Sequence, residues 1–171
     1  LAIALGSQRG VPVLLGSAAD GHGISRLLKA LRHEAPTVER AAERLGLAGE
    51  ASSAVVFKTL YTNHGGKLSL ARVITGELPD GATVLGAGGH EERVSGLFSM
   101  LGEEPRKRAT ARAGDVVALG RLDTIRSGET ITTNKHAIGQ AELAQPLAPV
   151  FAVGVGLKDR KDEVKLTTAL G

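Results

Sequence analysis

Gly16-Ser17-Ala18 places three small residues where a backbone can meet a ligand. The loop follows Val11-Pro-Val-Leu-Leu15, a short continuous apolar run of the kind buried on both faces of a parallel sheet. It precedes Ile24, Leu27, Leu28 and Leu31, which are spaced i, i+3, i+4, i+7 on one helical face. Small residues at the carboxyl end of such a strand let backbone N–H groups approach the edge of a base, and open α/β sheets bind ligands at that end. The same three residues also suit a plain strand–helix connection with no ligand.

The other chemistry-bearing residues converge less well. Gly86-Ala-Gly-Gly-His-Glu-Glu92 is glycine-rich, but it does not lead from a buried strand into a helix, as a phosphate loop must. His90, Glu91 and Glu92 are consecutive, so on a strand they alternate faces and cannot close on one ion; a hairpin tip is the expected role. His22, His33, His64, His90 and His136 show no paired spacing. Arg106, Lys107, Arg108 and Arg112 form the densest basic run. They read either as a solvated loop or as cations for RNA phosphates, contacts that position a protein without reading sequence. No G-x-x-x-x-G-K-[ST] loop, Asn-Lys-x-Asp motif or Gly-x-Ser-x-Gly elbow occurs. No catalytic residue is therefore assigned, because phosphoryl transfer needs a phosphate cradle and a metal.

Composition narrows the classes further. Cysteine is absent, which excludes disulfides, thiolate metal sites and Cys nucleophiles. The net charge of +3 permits phosphate contact without demanding it. The aromatic residues are Phe57, Tyr61, Phe98 and Phe151, and they read mostly as core, which argues against a single-strand platform of stacked bases. No apolar run approaches the ~18 residues of a membrane span, and no signal peptide is read at the amino terminus. Position 1 is Leu rather than Met, as expected of a fragment or a processed chain.

The elements that must position these residues fall in four stretches. Residues 1–35 read as strand, loop and helix, ending before Pro36. Residues 36–50 are rich in charge and Ala and read as a linker with a helical turn or two. From Ala51 the period switches to two, and short strands alternate with turns such as Asn63-His-Gly-Gly66 and Leu78-Pro-Asp-Gly81, a pattern expected of a closed β-barrel over residues 51–145. Beyond Pro146 and Pro149, a strand at Val150–Val155 and a helix capped by Asp159 are expected.

In order along the chain, Gly16-Ser17-Ala18, Arg72-Val-Ile-Thr-Gly76, Ala113-Gly-Asp115 and Gly128-Glu-Thr130 resemble the elongation factor G family of translational GTPases. The similarity extends through Phe57-Lys58, Gly66-Lys-Leu68, Glu92-Arg-Val94 and Pro149-Val150. Thr75 stands where the family has Ser, and Glu129 where it has Asp. Met100-Leu-Gly-Glu-Glu-Pro105 replaces a basic or polar stretch, which fits an elongation factor G-like paralogue better than the housekeeping translocase.

The resemblance implies a mainly β protein, with a closed β-barrel of translation-factor domain II type flanked by truncated α/β pieces. Residues 1–35 would be the end of the GTPase domain, 36–50 a linker, 51–145 domain II and 146–171 the start of domain III. Gly16, Ser17 and Ala18 would form the guanine-facing loop, with the Ala18 N–H toward the guanine oxygen. Arg106, Lys107, Arg108 and Arg112 would be the RNA contact candidates. GTP or GDP with Mg would bind the parent, with none on this fragment. The partners would be ribosomal RNA and the remaining GTPase and distal domains, with neither membrane nor DNA, in the cytoplasm. The alternatives are a barrel module that binds RNA or protein without GTPase activity, and an adaptor that makes only protein contacts.

Overall fold

The computed structural model describes residues 10–49, 52–62, 66–102, 104–136, 138–141 and 148–170. The turn expected at Asn63-His64-Gly65, the segment 1–9 and Pro146 lie outside them. Ten strands dominate the described residues: β1 Ser53–Thr62, β2 Gly66–Thr75, β3 Glu77–Pro79, β4 Thr83–Gly86, β5 Glu91–Arg93, β6 Leu97–Leu101, β7 Glu104–Lys107, β8 Thr110–Arg112, β9 Val116–Gly120 and β10 Thr130–Thr132. Three helices accompany them: α1 Ile24–His33, α2 Val38–Arg44 and α3 Glu163–Leu170, the last preceded by a 3₁₀ turn at Arg160–Asp162. The protein is thus mainly β with few helices, as the sequence implies.

Eight strands form one sheet in the order β5-β4-β10-β1-β2-β9-β6-β7, and β3 pairs with β8. All the described pairings are antiparallel. The period of two decides which side chains turn inward. On β2, Ser69, Ala71 and Val73 are buried while Arg72 is exposed; on β9, Val117 and Leu119 face the same core. One cluster unites Ala54, Val56, Val84, Val94, Leu97, Ala111 and Ile131 with them, so the sheet curls around a single interior. Leu122 and Ile125, from the segment after β9, are fully buried against it.

Polar contacts hold that segment in place. The Lys67 ammonium donates to the Asp123 carbonyl at 2.8 Å and the Ile125 carbonyl at 2.7 Å. The Glu92 carboxylate accepts from the backbone N–H and hydroxyl of Thr124. Glu129, in the Gly-Glu-Thr piece, accepts from the Arg126 N–H at 3.1 Å. On the outside of the sheet, Ala42 of α2 and Leu47 pack with Val55 and Ile74. Residues 42–47 thus pack on β1 and β2.

Two expected strands are corrected. Val11–Leu15 makes no ladder, and Val11, Val13 and Leu15 are exposed. Val150–Val155 likewise forms no strand, and Val150 and Phe151 lie open. An apolar run becomes a buried strand only when neighbouring strands take up its N–H and C=O groups, and no described residue pairs with either run. Leu28 and Leu31, on the apolar face of α1, are exposed as well. The cap expected at Asp159 is present: its Oδ1 accepts from the Lys161 N–H at 3.3 Å.

The segment between β5 and β6 reaches across to the end of β9. The Ser95 N–H donates to the Gly120 carbonyl at 3.0 Å, and the Gly120 N–H to the Gly96 carbonyl at 2.9 Å. A β-carbon at Gly120 would stand 2.5 Å from the Ser95 carbonyl oxygen. Gly120→Ala is expected to push these backbones apart and lower stability by about 1–3 kcal/mol, the usual range for overpacking. Urea unfolding with an unchanged m-value would register it; an unaltered midpoint would show that the approach is not tight.

Candidate functional site

The Gly16–Gly23 loop is built by backbone contact at its neck. The Ser17 N–H donates to the His22 carbonyl at 3.0 Å, and Ser17 and His22 form an isolated antiparallel bridge. The Ser17 hydroxyl donates to Asp20 Oδ2 at 2.7 Å. Gly23 begins α1 with φ +77°, and a β-carbon there would stand 2.4 Å from the Leu15 carbonyl oxygen. One at Gly16 would meet the His22 carbonyl oxygen at 2.6 Å. At Gly23, only glycine tolerates both the left-handed angle and the contact. The neck pinches, and Ala18, Ala19 and Asp20 project as an exposed tip of small residues. Such a tip offers a flat ligand backbone groups and little steric hindrance.

The four basic candidates lie along β7, the turn after it and β8, but they are not equivalent. Arg108 Nη2 meets Asp115 Oδ2 at 3.0 Å. The Arg112 N–H donates to that same oxygen at 3.0 Å, while Arg112 Nε lies 3.5 Å from Glu77. Lys107 faces Asp80 at 3.6 Å. Arg106, opposite Ser99 on the β6–β7 hairpin, is exposed and has no ion-pair partner among the described residues. Of the four it is the one with no carboxylate competing for a phosphate. The other three pairs are at least partly solvated, and exposed pairs hold their partners by only ~0–1 kcal/mol.

Asp115 is the hub of this group. Its carboxyl is held below the ordinary aspartate range, chiefly by the Arg112 backbone N–H and further by the Arg108 and Arg112 charges. The carboxyls of Asp159 and Glu39 are also lowered, by Lys161 and by the first-turn N–H of Glu39 with the Thr37 hydroxyl. His22, His33, His90 and His136 sit at separate places, and His64 lies outside the described residues. His90 lies at the tip of the β4–β5 hairpin.

One feature is missed by reading along the chain. A cleft of about 540 Å³ is lined by Asp80, Gly81, Arg93, Ser95, Phe98 and Lys107, among others. Lys107 alone of these is a site candidate from sequence. Pro79-Asp80-Gly81 announces a turn, but nothing local in the sequence places that turn beside β6 and β7.

The family model described as Elongation factor G domain 2 matches residues 51–134. An elongation factor G-like protein of Synechocystis sp. is 36% identical over 170 residues, covering 98% of this chain and 24% of that protein. The mitochondrial ribosome-releasing factor 2 of Drosophila ananassae is 32% identical, covering 94% of this chain and 22% of its own length. A crystal structure from Thermus thermophilus superposes with a TM-score of 0.65 at 23% identity, covering 86% of this chain and 22% of that one, which supports the fold. The chain belongs to the elongation factor G-like family of translational GTPases. It spans about a quarter of the length of these curated relatives.

The lowered pKa of Asp115 has a definite sign. Its contribution to stability is fully present above the unfolded value near 3.8 and is lost as pH falls through the lower folded value. Asp115→Asn should therefore be less stable than the parent chain at neutral pH. The gap should narrow once pH drops below about 4. Urea midpoints of both proteins, compared from neutral pH into the acid range, test this; a gap independent of pH would remove the carboxylate from the explanation.

Proposed function

We propose that this chain is a section of a longer GTP-hydrolysing factor that acts on the ribosome. Residues 1–35 would close a GTPase domain, 36–50 would link it to a domain II over 51–145, and 146–171 would open a third domain. The observation that carries the reading is the continuous similarity to an elongation factor G-like protein along 98% of the chain, flanks included. A free-standing barrel that binds RNA or protein has no need of the pinched loop and α1 on one side and the capped helix on the other.

In this reading Gly16, Ser17 and Ala18 face the guanine of GTP or GDP, with Mg held elsewhere in the parent. The small exposed tip and its pinched neck support that role, since they leave backbone groups accessible to a flat ring. The section itself would neither bind nor hydrolyse nucleotide, because it carries no phosphate loop. The sheet would close into a barrel through the Ser95–Gly120 and Gly120–Gly96 bonds. That barrel would pack on the GTPase domain and dock on small-subunit ribosomal RNA, with Arg106 in contact with phosphate and Lys107, Arg108 and Arg112 behind it. No helix among the described residues is long and apolar enough to cross a membrane. The reading places the factor with cytoplasmic ribosomes, while one of its relatives is mitochondrial.

Two measurements test the proposal. The full-length product of the native gene should bind a fluorescent GDP analogue, and this section alone should not. Gly23→Ala in the full-length product should weaken binding about tenfold or more, the equivalent of ~1.4 kcal/mol. Failure of the intact product to bind guanine nucleotide would end the GTPase reading. Arg106→Glu should lower affinity for the small ribosomal subunit and make binding less salt-sensitive; an unchanged salt slope would move RNA contact elsewhere.

A further inference from the structure

Strand register composes an apolar face on the outside of the sheet. Lys58 of β1 pairs with Leu70 of β2, Leu70 with Ala118 of β9, Ala118 with Phe98 of β6, and Phe98 with Lys107 of β7. Residues directly opposite each other share a face, so these form one row from β1 to β7. Val55, Arg72 and Val116 form the next row. The alternate residues Ala71, Val73, Val117 and Leu119 fill the core, so both rows look outward. Ala118 is fully buried as the floor between Leu70 and Phe98, which are half-buried, and Val116 is 48% exposed.

Two observations say what fits this face. The first is continuity with a helix–sheet contact already made. Ala42 of α2 and Leu47 pack on Val55 and Ile74. Val55 pairs directly with Arg72, and Ile74 lies two residues beyond it on the same face of β2. The open rows therefore extend the surface that the chain's own helix covers. The second is charge. The rows hold Lys58, Arg72 and Lys107 and no carboxylate. Lys58 and Arg72 are exposed and have no ion-pair partner among the described residues, while the exposed Lys107 faces Asp80 at 3.6 Å. An apolar centre with a basic border complements an apolar stripe bordered by carboxylates.

We propose that this face docks an acidic amphipathic helix of a second protein. The apolar stripe of that helix lies on Leu70, Ala118, Val116 and Phe98, as amphipathic helices lie on apolar surfaces elsewhere. Its flanking Asp and Glu side chains reach Lys58 and Arg72 on one border and Lys107 on the other. Leu70, Ala118 and Val116 give a phosphate or a ribose nothing to bond, so the centre of the face selects a protein rather than a nucleic acid. Arg106 pairs with Ser99 and so projects on the opposite side of the β6–β7 hairpin from Lys107. The docking face is thus separate from the Arg106 contact proposed above, and it rests on register and charge, whether or not the parent hydrolyses GTP.

The test uses a synthetic helical peptide of about 15 residues with a leucine stripe flanked by Glu. It is titrated into the 171-residue chain and followed residue by residue through backbone amide NMR shifts. Saturable shifts are expected at Leu70, Arg72, Val116, Ala118 and Phe98, with affinity falling as salt rises. Arg72→Glu and Val116→Asp should each weaken binding about tenfold or more. Both side chains are exposed, so neither change disturbs the core. A peptide with Lys in place of Glu, and one of the same composition without the stripe, should bind at least tenfold more weakly. The full-length product of the native gene should bind the acidic peptide as the 171-residue chain does. The proposal is overturned if the shifts are absent at millimolar peptide or gather elsewhere, if the Lys peptide binds equally, or if Arg72→Glu and Val116→Asp leave the affinity unchanged. It also falls if single-stranded RNA displaces the peptide from these same amides, or if the full-length product excludes the peptide because its own domains occupy the face.

Discussion

The structure depends on one constraint: a small apolar interior must be shut off from water. Val56, Val73, Val117 and Leu119 are fully buried, although strand pairing alone leaves the faces of a sheet open. The sheet has to curl until β4 and β6 contribute Val84 and Leu97 to the same cluster. Curling leaves an opening, which Leu122 and Ile125 fill. The plug in turn exposes backbone carbonyls at the rim, and Lys67 takes two of them. Each polar contact around the rim thus follows from the demand for a dry interior, since an unpaired buried carbonyl would offset much of the gain.

That demand also shapes the surface on which function is read. Curling forces the β5–β6 segment across the end of β9, where only Gly120 admits the approach of Ser95. The crossing carries Arg93 toward the Asp80 turn and sets Phe98 against Gly96. The cleft is therefore a by-product of how the sheet bends rather than of any local motif. Asp115 plays a comparable part on the neighbouring flank. It fixes the turn between β8 and β9 by accepting from the Arg112 N–H and also holds the Arg108 side chain; with Glu77 beside Arg112 and Asp80 beside Lys107, Arg106 is the member of the basic run without an ion-pair partner among the described residues.

Much of this was legible in the sequence where burial follows from period and turn chemistry. β2, β9 and β10, the Asp80-Gly81 turn, α1 and the Asp159 cap stand where alternation, glycine and capping residues put them. Arg93 to Met100 alternates as one run in the sequence but divides in the structure: Arg93 pairs with Thr83 of β4, and Leu97 and Phe98 pair with Leu119 and Ala118 of β9. Alternation is unchanged by such a division, because it reports which face a side chain takes and not which strand lies beside it. The same limit explains the cleft: Asp80, Arg93 and Lys107 are brought together only by pairing between distant segments.

Val11–Leu15 and Val150–Val155 draw the sharpest distinction between pattern and partner. Each is as apolar as β9, yet β9 lies between β2 and β6 while these runs have no described neighbour. Apolar content supplies a driving force for burial, and hydrogen-bonded neighbours decide whether a strand can accept it. The Gly16–Gly23 loop forms its pinched neck without such neighbours, because the contacts at Ser17, His22 and Gly23 are all local. Such a loop can thus be shaped by sequence-near contacts alone, while the apolar run and the helix that flank it keep apolar faces open to whatever packs there.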